Sequence, residues 1–246
     1  MTAALRRWIP RPAQVLIRNW RTDRMQQRYA PLTLAETFDR VYKTQAWGGG
    51  GAGAPNSGTG STGRYVIEYC AMISKLLRQH EVSSIADLGC GNFNTGRILA
   101  GMTARYTGVD IAQAVIEANT REHAGVHFVR ADLTRDVLPP ADAAIVRQVL
   151  QHLTNAEIAA ALRNILRTYA LAIVTEHVYA GPGLAPNLDM AHGPGTRVHR
   201  RSGVFLDRAP FGVEATVTGD IAYAPNQYTS NEVLRTWTVV RTGTGC

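Results

Sequence analysis

The residues best suited to bind a ligand surround one glycine turn. The run Asp87-Leu-Gly89-Cys90-Gly91 directly follows a predicted buried strand, 85–88, and precedes a predicted helix. Glycines in such a turn let the backbone approach a ligand closely, and the N–H groups at the start of the next helix can bind it. The pattern therefore predicts a ligand-binding cradle with an acid, Asp87, at the end of its strand.

A second acid, Asp110, lies near the end of the next predicted strand, 106–111. It comes about 20 residues after the turn, where Rossmann-like folds place a ribose-binding carboxylate. Two carboxylate oxygens suit the two vicinal hydroxyls of a ribose. The dinucleotide fingerprint requires G-x-G-x-x-G, and here the third glycine, Gly96, comes too late. This spacing argues against a nicotinamide-binding oxidoreductase.

Candidate catalytic residues follow two later predicted strands. His152 comes after a strand at 141–146, and Glu176 and His177 come at the end of a strand predicted at 171–175. The carboxyl ends of parallel strands meet at the edge where such sheets bind ligands. Imidazole can accept a proton near neutral pH, so His152 is the leading candidate for a general base. The alternative is a structural histidine that caps the next helix or orients the Gln151 loop.

Glu176 and His177 are further catalytic candidates, expected to face the same crevice. Together with Asp189, His192 and His199 they could instead bind the substrate that accepts a transferred group, or a divalent metal. The spacings match no known zinc pattern, and a loop rich in glycine and histidine is more often a mobile lid. We therefore predict no metal site.

The Asp-Leu-Gly-Cys-Gly run resembles the first motif of class I S-adenosylmethionine-dependent methyltransferases. Further elements resemble a bacterial branch of this family, and the resemblance covers about residues 34–213. These elements are Trp47-Gly, Ser57-Gly-Thr-Gly-Ser61, Gln148-Val-Leu-Gln-His-Leu153 and Ala209-Pro-Phe211. The branch has an aspartate where this chain has Asn92, so one negative charge beside the turn is missing here.

The resemblance implies S-adenosyl-L-methionine as the cofactor. Asp87 would hold its amino group through water or cap the turn, and Asp110 would bind the ribose. Asp132 would bind the adenine amino group or, alternatively, pair with Arg130 or Arg135. The cofactor-binding candidates are Trp47, Ser57, Gly58, Ser61, Asp87, Gly89, Cys90, Gly91, Asp110, Ile111, Asp132, Leu133, Arg147 and Gln148.

Strands that alternate with helices predict an α/β fold, a Rossmann-like doubly wound sheet of seven mostly parallel strands with an N-terminal helical extension. Residues 1–62 are expected to form the basic helical extension and a glycine-rich loop. Residues 63–246 would form the methyltransferase domain, with an acceptor-side lid loop at 179–211. A helix at 32–42 carries a capping-box pattern, and Asn155 is the predicted cap of a later helix.

The chain of 246 residues has a formal net charge of +7, much of it from arginines near the N-terminus. A basic helix predicted at 13–27 could contact an anionic membrane surface. The alternative is a helix packed on the domain, or on a second subunit in a homodimer. Three cysteines without a pairing pattern and the lack of a long apolar run indicate a cytoplasmic protein, with membrane association left open.

These observations together predict O-methylation of a hydroxyl on a small molecule or a sugar or glycan. A nucleic-acid methyltransferase is the first alternative, suggested by the basic charge. No Asn-Pro-Pro-Tyr-like element that would hold a flipped base follows the fourth predicted strand, so a nucleic-acid partner is disfavoured. A non-catalytic cofactor-binding partner protein is the second alternative, and Asn92 keeps it open.

Overall fold

The computed structural model describes residues 11–48, 57, 64–223 and 231–241. The helices are α1 (Arg11–Gln27), α2 (Leu34–Lys43), α3 (Arg64–Gln79), α4 (Gly96–Ala100), α5 (Gln113–Glu122) and α6 (Asn155–Thr168). The strands are β1 (Ser84–Leu88), β2 (Arg105–Asp110), β3 (His127–Arg130), β4 (Ala143–Arg147), β5 (Leu171–Tyr179), β6 (Thr216–Ala222) and β7 (Glu232–Val240). Short 3-10 helices lie at Leu150–His152 and Val198–Arg200.

The seven strands form one sheet in the order β3-β2-β1-β4-β5-β7-β6. The pairs from β3 to β5 are parallel, and β7 is antiparallel to both of its neighbours. This arrangement confirms the predicted Rossmann-like, mostly parallel sheet of seven strands. The strand order reverses between β1 and β4, so the carboxyl ends of these strands flank the crevice in which such sheets bind ligands.

The central strands are buried because helices cover both faces of the sheet. All five residues of β1 are buried. On one face, Leu88 belongs to the same apolar cluster as Leu162 of α6. On the other face, Ile85 belongs to a second cluster with Ile73 of α3. Continuous apolar runs are typical of parallel strands that are covered on both sides.

The helix starts confirm one predicted cap and correct another. The hydroxyl of Thr33 accepts the N–H of Glu36, and the Glu36 carboxylate accepts the N–H of Thr33, which is the predicted capping box. The prediction of Asn155 as the cap of α6 is wrong, because Thr154 takes this position and Asn155 is the first helical residue. Thr154 has an extended backbone, and its hydroxyl accepts the N–H of Glu157.

Strand β5 is longer than the sequence predicts. The polar residues Glu176 and His177 suggested that the strand ends at Thr175, yet it continues to Tyr179. Antiparallel pairing with β7 extends over this whole segment and sets Glu232 opposite Tyr179. The backbone hydrogen bonds to β7 therefore continue the strand past its apolar part, and they bring residues of β7 to the edge of the crevice.

The C-terminal half of α1 packs on the long segment that follows β5. The Gln26 side chain donates to the carbonyl of Ala191 (2.6 Å) and accepts the N–H of Gly195 (2.9 Å). Nearer its start, α1 leaves Leu16 and Trp20 exposed. These contacts correspond to the alternative of a helix packed on the domain. Among the described residues, no helix has the length and apolar character needed to cross a membrane.

Candidate functional site

A cavity of about 370 Å³ lies where the carboxyl ends of β1, β2 and β4 meet. The glycine turn, helix α2, the 3-10 helix after β4 and the segment after β5 contribute to its walls. The predicted site residues that line it are Trp47, Ser57, Asp87, Gly89, Cys90, Gly91, Asp110, Ile111, Asp132, Leu133, Arg147, Gln148, His152 and His177. Gly58 and Ser61 lie outside the described residues.

The glycine turn leaves no room for side chains. Gly89 and Gly91 have φ angles of +84° and +54°. A Cβ on Gly91 would lie 2.3 Å from Oγ of Ser57, and one on Gly89 would lie 2.3 Å from a methyl carbon of Val149. The N–H of Asn92 donates to the same Ser57 oxygen at 2.9 Å. The turn therefore requires glycine at both positions and presents bare backbone to the cavity.

The Asp110 carboxylate is buried at the cavity wall. It accepts the N–H groups of Gly91 and Ala112, each at 3.0 Å. Burial raises the pKa of Asp110 above its ordinary value, and the hydrogen bonds from Ala112 and Gly91 oppose that rise. A carboxylate offers roughly four lone-pair positions, so these two donors leave capacity for a pair of ligand hydroxyls.

Asp87 and Arg147 place opposite charges at the same end of the cavity. The hydroxyl of Tyr106 donates to Asp87 at 2.6 Å, a partner that the sequence analysis did not identify. Burial raises the pKa of Asp87 to about 6, although Tyr106 and Arg147 both favour its charged form. The Arg147 guanidinium lies 4.8 Å from the ring centre of Tyr69. An acid and a guanidinium side by side are complementary to an amino-acid zwitterion.

Asp132 lines the cavity and also has partners within the chain. One of its oxygens accepts the N–H and the hydroxyl of Thr134, at 2.9 and 2.7 Å. The other lies 3.1 Å from Nε of Arg135. Arg130 instead donates to the carbonyl of Ile111. Of the two arginines considered as partners of Asp132, Arg135 forms the ion pair.

Three aromatic rings, those of Phe38, Tyr42 and Trp47, form another part of the wall. The Trp47 ring centre lies 5.3 Å from that of Tyr42 and 5.0 Å from that of His152. Its indole N–H donates to the carbonyl of Pro194 at 3.0 Å. Trp47 thus connects the end of α2 to the segment after β5 and covers the His152 ring.

Both ring nitrogens of His152 are engaged. Nδ1 lies 3.0 Å from the carbonyl oxygen of Gly195, which can only accept, so Nδ1 carries the proton. Nε2 then accepts from the side-chain amide of Gln151 at 3.2 Å. Burial lowers the pKa of His152 to about 4, and the charge of Arg197 acts in the same direction. The imidazole is therefore neutral at pH 7.

Glu176 does not line the cavity, contrary to the expectation that it faces the crevice. It is fully buried, and burial raises its pKa to about 7. Its carboxylate accepts three consecutive N–H groups, those of Val149, Leu150 and Gln151, at 2.9–3.1 Å. Arg197, also buried, donates to the carbonyls of Gln151 and Leu153. Glu176 thus positions the backbone around His152 and does not contact a ligand in the cavity.

His177 lines the cavity together with two residues that the sequence analysis missed, Glu232 and Tyr223. Nε2 of His177 lies 2.8 Å from a carboxylate oxygen of Glu232. The Tyr223 ring stacks on the imidazole with centres 4.4 Å apart. The register of β7 against β5 produces this group, and no short motif in the sequence signals it.

The other polar residues considered for a metal do not converge. Asp189 accepts an N–H at the start of α6, His192 contacts Glu157, and His199 contacts Asp23 of α1. No group of three or more potential metal ligands occurs in the described part of the chain.

Residues 85–170 match a family described as "Methyltransferase domain". The match covers about a third of the chain, and the seven-stranded sheet around it has the Rossmann-like fold of class I S-adenosylmethionine-dependent methyltransferases. No curated protein sequence matches the chain.

Two solved methyltransferase structures share the fold. Magnesium protoporphyrin IX methyltransferase from Synechocystis PCC 6803, with bound SAH, superposes with a TM-score of 0.52 at 16% identity, covering 89% of this chain and 98% of that one. The N-methyltransferase NodS from Bradyrhizobium japonicum WM9, in complex with S-adenosyl-L-homocysteine, superposes with a TM-score of 0.51 at 16% sequence identity. The alignment covers 72% of this chain and 88% of that one. For Streptomyces venezuelae DesVI the TM-score is 0.44 and the sequence identity is 14%. The alignment covers 64% of this chain and 62% of that protein.

Proposed function

We propose that this methyltransferase transfers the methyl group of S-adenosylmethionine to a hydroxyl of a small molecule or a sugar. The proposal rests on one cavity, which holds groups suited to an adenosyl-amino-acid ligand. The imidazoles of His152 and His177 lie in the wall of the same cavity. An oxygen acceptor needs a proton acceptor as the methyl arrives, and imidazole is the usual side chain for that role.

The residues present fit the cofactor. The turn at Gly89 and Gly91 has no space for side chains, so backbone can approach a nucleoside closely. Asp110 would accept from the ribose hydroxyls, and Asp132 and Leu133 would contact the adenine. Asp87 and Arg147 would hold the amino and carboxylate groups of the amino-acid part. When bound, the cofactor supplies a methyl group on a positively charged sulfur, which leaves as a neutral thioether.

The chain itself has three tasks in this reaction. The glycine turn and the buried acids orient the donor, which aligns the methyl group with the acceptor. Trp47 and the segment after β5 restrict water, because the indole bonds to Pro194 across the cavity wall. His152 and His177 are the candidate proton acceptors. The acceptor approaches from the side on which these two imidazoles lie.

Calorimetric titration with S-adenosylmethionine tests the cofactor part of the proposal. We expect micromolar binding by the wild type and a loss of about 100-fold for Asp110→Ala, because hydrogen bonds to a charged group are removed. Glu122→Ala removes an exposed acid and should leave the affinity unchanged. A folded wild type that binds no S-adenosylmethionine would contradict the proposal.

The acceptor part is tested by S-adenosylhomocysteine release with a panel of catechol, myo-inositol, methyl glucoside and benzylamine. Turnover with a hydroxyl compound and not with the amine supports O-methylation. Turnover with benzylamine alone would make the chain an N-methyltransferase. Cofactor binding without turnover on any probe would favour a non-catalytic partner protein.

A further inference from the structure

The His177–Glu232 pair lies in the cavity wall and has no role in holding the cofactor as described above. Both side chains are nearly buried, with exposed fractions of 11% and 6%. They come from neighbouring antiparallel strands, β5 and β7, so their separation is set by the sheet. Rigid strands position a pair of side chains more accurately than loops do.

The contact with Glu232 determines which nitrogen of His177 is basic. Nε2 lies 2.8 Å from a carboxylate oxygen of Glu232, although the two groups are not aligned for a hydrogen bond. Because lone pairs on both atoms would repel at this distance, the neutral imidazole carries its proton on Nε2. The lone pair is therefore on Nδ1. Among the described residues, Nδ1 of His177 has no hydrogen-bond partner, whereas both nitrogens of His152 are engaged.

The second carboxylate oxygen of Glu232 indicates that a ligand binds here. Oε1 is buried and has no hydrogen-bond partner in the described residues. The amide oxygen of Gln151, in the same cavity wall, is also buried without a partner there. Buried acceptors that lack a donor are costly, so both oxygens favour a ligand that brings its own O–H or N–H groups.

We propose, on the basis of the function proposed above, that His177 and Glu232 form the acceptor subsite and that His177 is the general base. The ligand class is a polyhydroxylated molecule such as a sugar, with one hydroxyl directed at Nδ1 of His177 and a neighbouring one at Glu232. Tyr223 fixes the plane of the imidazole by stacking on it. His152 is a neutral part of the wall.

Methyl transfer at this subsite needs no further reactant. The acceptor oxygen bonds to the methyl carbon, and the carbon–sulfur bond breaks with its electron pair left on sulfur. The hydroxyl proton passes to Nδ1 of His177. The resulting imidazolium lies against the Glu232 carboxylate, which stabilises the new positive charge where the proton arrives.

Labelling with diethyl pyrocarbonate, read by mass spectrometry, tests the subsite without an acceptor, since the reagent attacks an unprotonated imidazole nitrogen. We expect His152 to react about tenfold more slowly than His177, because its hydrogen bond from Gln151 must break first. The exposed His127 serves as the reference for unrestricted reaction. Faster labelling of His152 than of His177 would overturn the proposal.

A second test of the subsite measures turnover with the hydroxyl compound of the panel that gives the highest rate. His177→Gln should lower kcat by about 100-fold or more and leave the dissociation constant of S-adenosylmethionine unchanged. Glu232→Gln should lower kcat less, and His127→Gln should have no effect. Melting temperatures check that each variant folds. A His177→Gln variant that retains kcat within about threefold of wild type would overturn the assignment. Failure of the wild type to bind S-adenosylmethionine would instead overturn the proposed function.

Discussion

His152 and His177 lie at the same edge of one sheet, yet their surroundings differ. His152 is held on every side, by Gly195, Gln151 and the Trp47 ring. His177 contacts one carboxylate and one stacked ring. The position of a histidine at a ligand-binding edge therefore does not determine its chemistry. The partners of its two nitrogens decide whether it can accept a proton.

The segment around His152 is held by two buried ionisable groups, a carboxyl and a guanidinium. Glu176 accepts N–H groups from one side of this segment, and Arg197 donates to carbonyls on the other. Buried ionic groups must be fully hydrogen-bonded to be tolerated, and here the backbone supplies most of the partners. Such a clamp favours a fixed wall over a group that moves during a reaction.

The largest effect is expected from removing one half of this clamp. Arg197→Met leaves several buried carbonyls without donors and Glu176 without a nearby positive charge, so the free energy of unfolding should fall by about 3–5 kcal/mol. Urea denaturation measures this change.

Arg200→Met provides the matched control, because it removes a half-exposed ion pair with Asp23 that should contribute about 1 kcal/mol or less. Equal losses for the two variants would contradict the clamp.

The next effect is the contribution of His152 to the pH dependence of the unfolding free energy, and it should be no larger than the loss expected for Arg197→Met. Its pKa of about 4 in the folded state is below the value of 6.5 expected when unfolded, so the unfolded chain binds more protons between these values. Wild-type stability should therefore decline as the pH falls through this window, by up to about 3 kcal/mol.

His152→Gln lacks this contribution. The difference in unfolding free energy between the two proteins, measured by urea denaturation from pH 7 to pH 4, should change by that amount in favour of the variant. A constant difference would mean that His152 is not a buried neutral imidazole.

The smallest effect is expected at the indole that covers His152. Trp47→Phe keeps an aromatic ring and removes only the N–H that donates to Pro194, which should cost about 1 kcal/mol. If the cover is what shields His152, its labelling by diethyl pyrocarbonate should become faster while that of His177 stays unchanged. An equal increase at both histidines would indicate a general loosening of the cavity.

Much of the fold and of the cavity wall was predictable from local spacing. The glycine turn between β1 and α4, the acids Asp87 and Asp110 and the alternation of strands and helices all depend on residues close together in sequence. The errors have local causes as well. Thr154 and Asn155 are both good capping residues, and only backbone conformation distinguishes them. The predicted end of β5 is too early, because the polar residues Glu176 and His177 suggested a loop where backbone pairing with β7 continues.

The sequence by itself determined the order of the elements and the turn that approaches the ligand, because glycine geometry and apolar periodicity act over a few residues. Only the tertiary structure decided the surroundings of His152 and His177. Glu232 reaches His177 through the register of β7, and Arg197 and Gly195 reach the His152 segment through the chain after β5. Burial and partners set the protonation of a histidine, and both depend on segments that are distant in sequence.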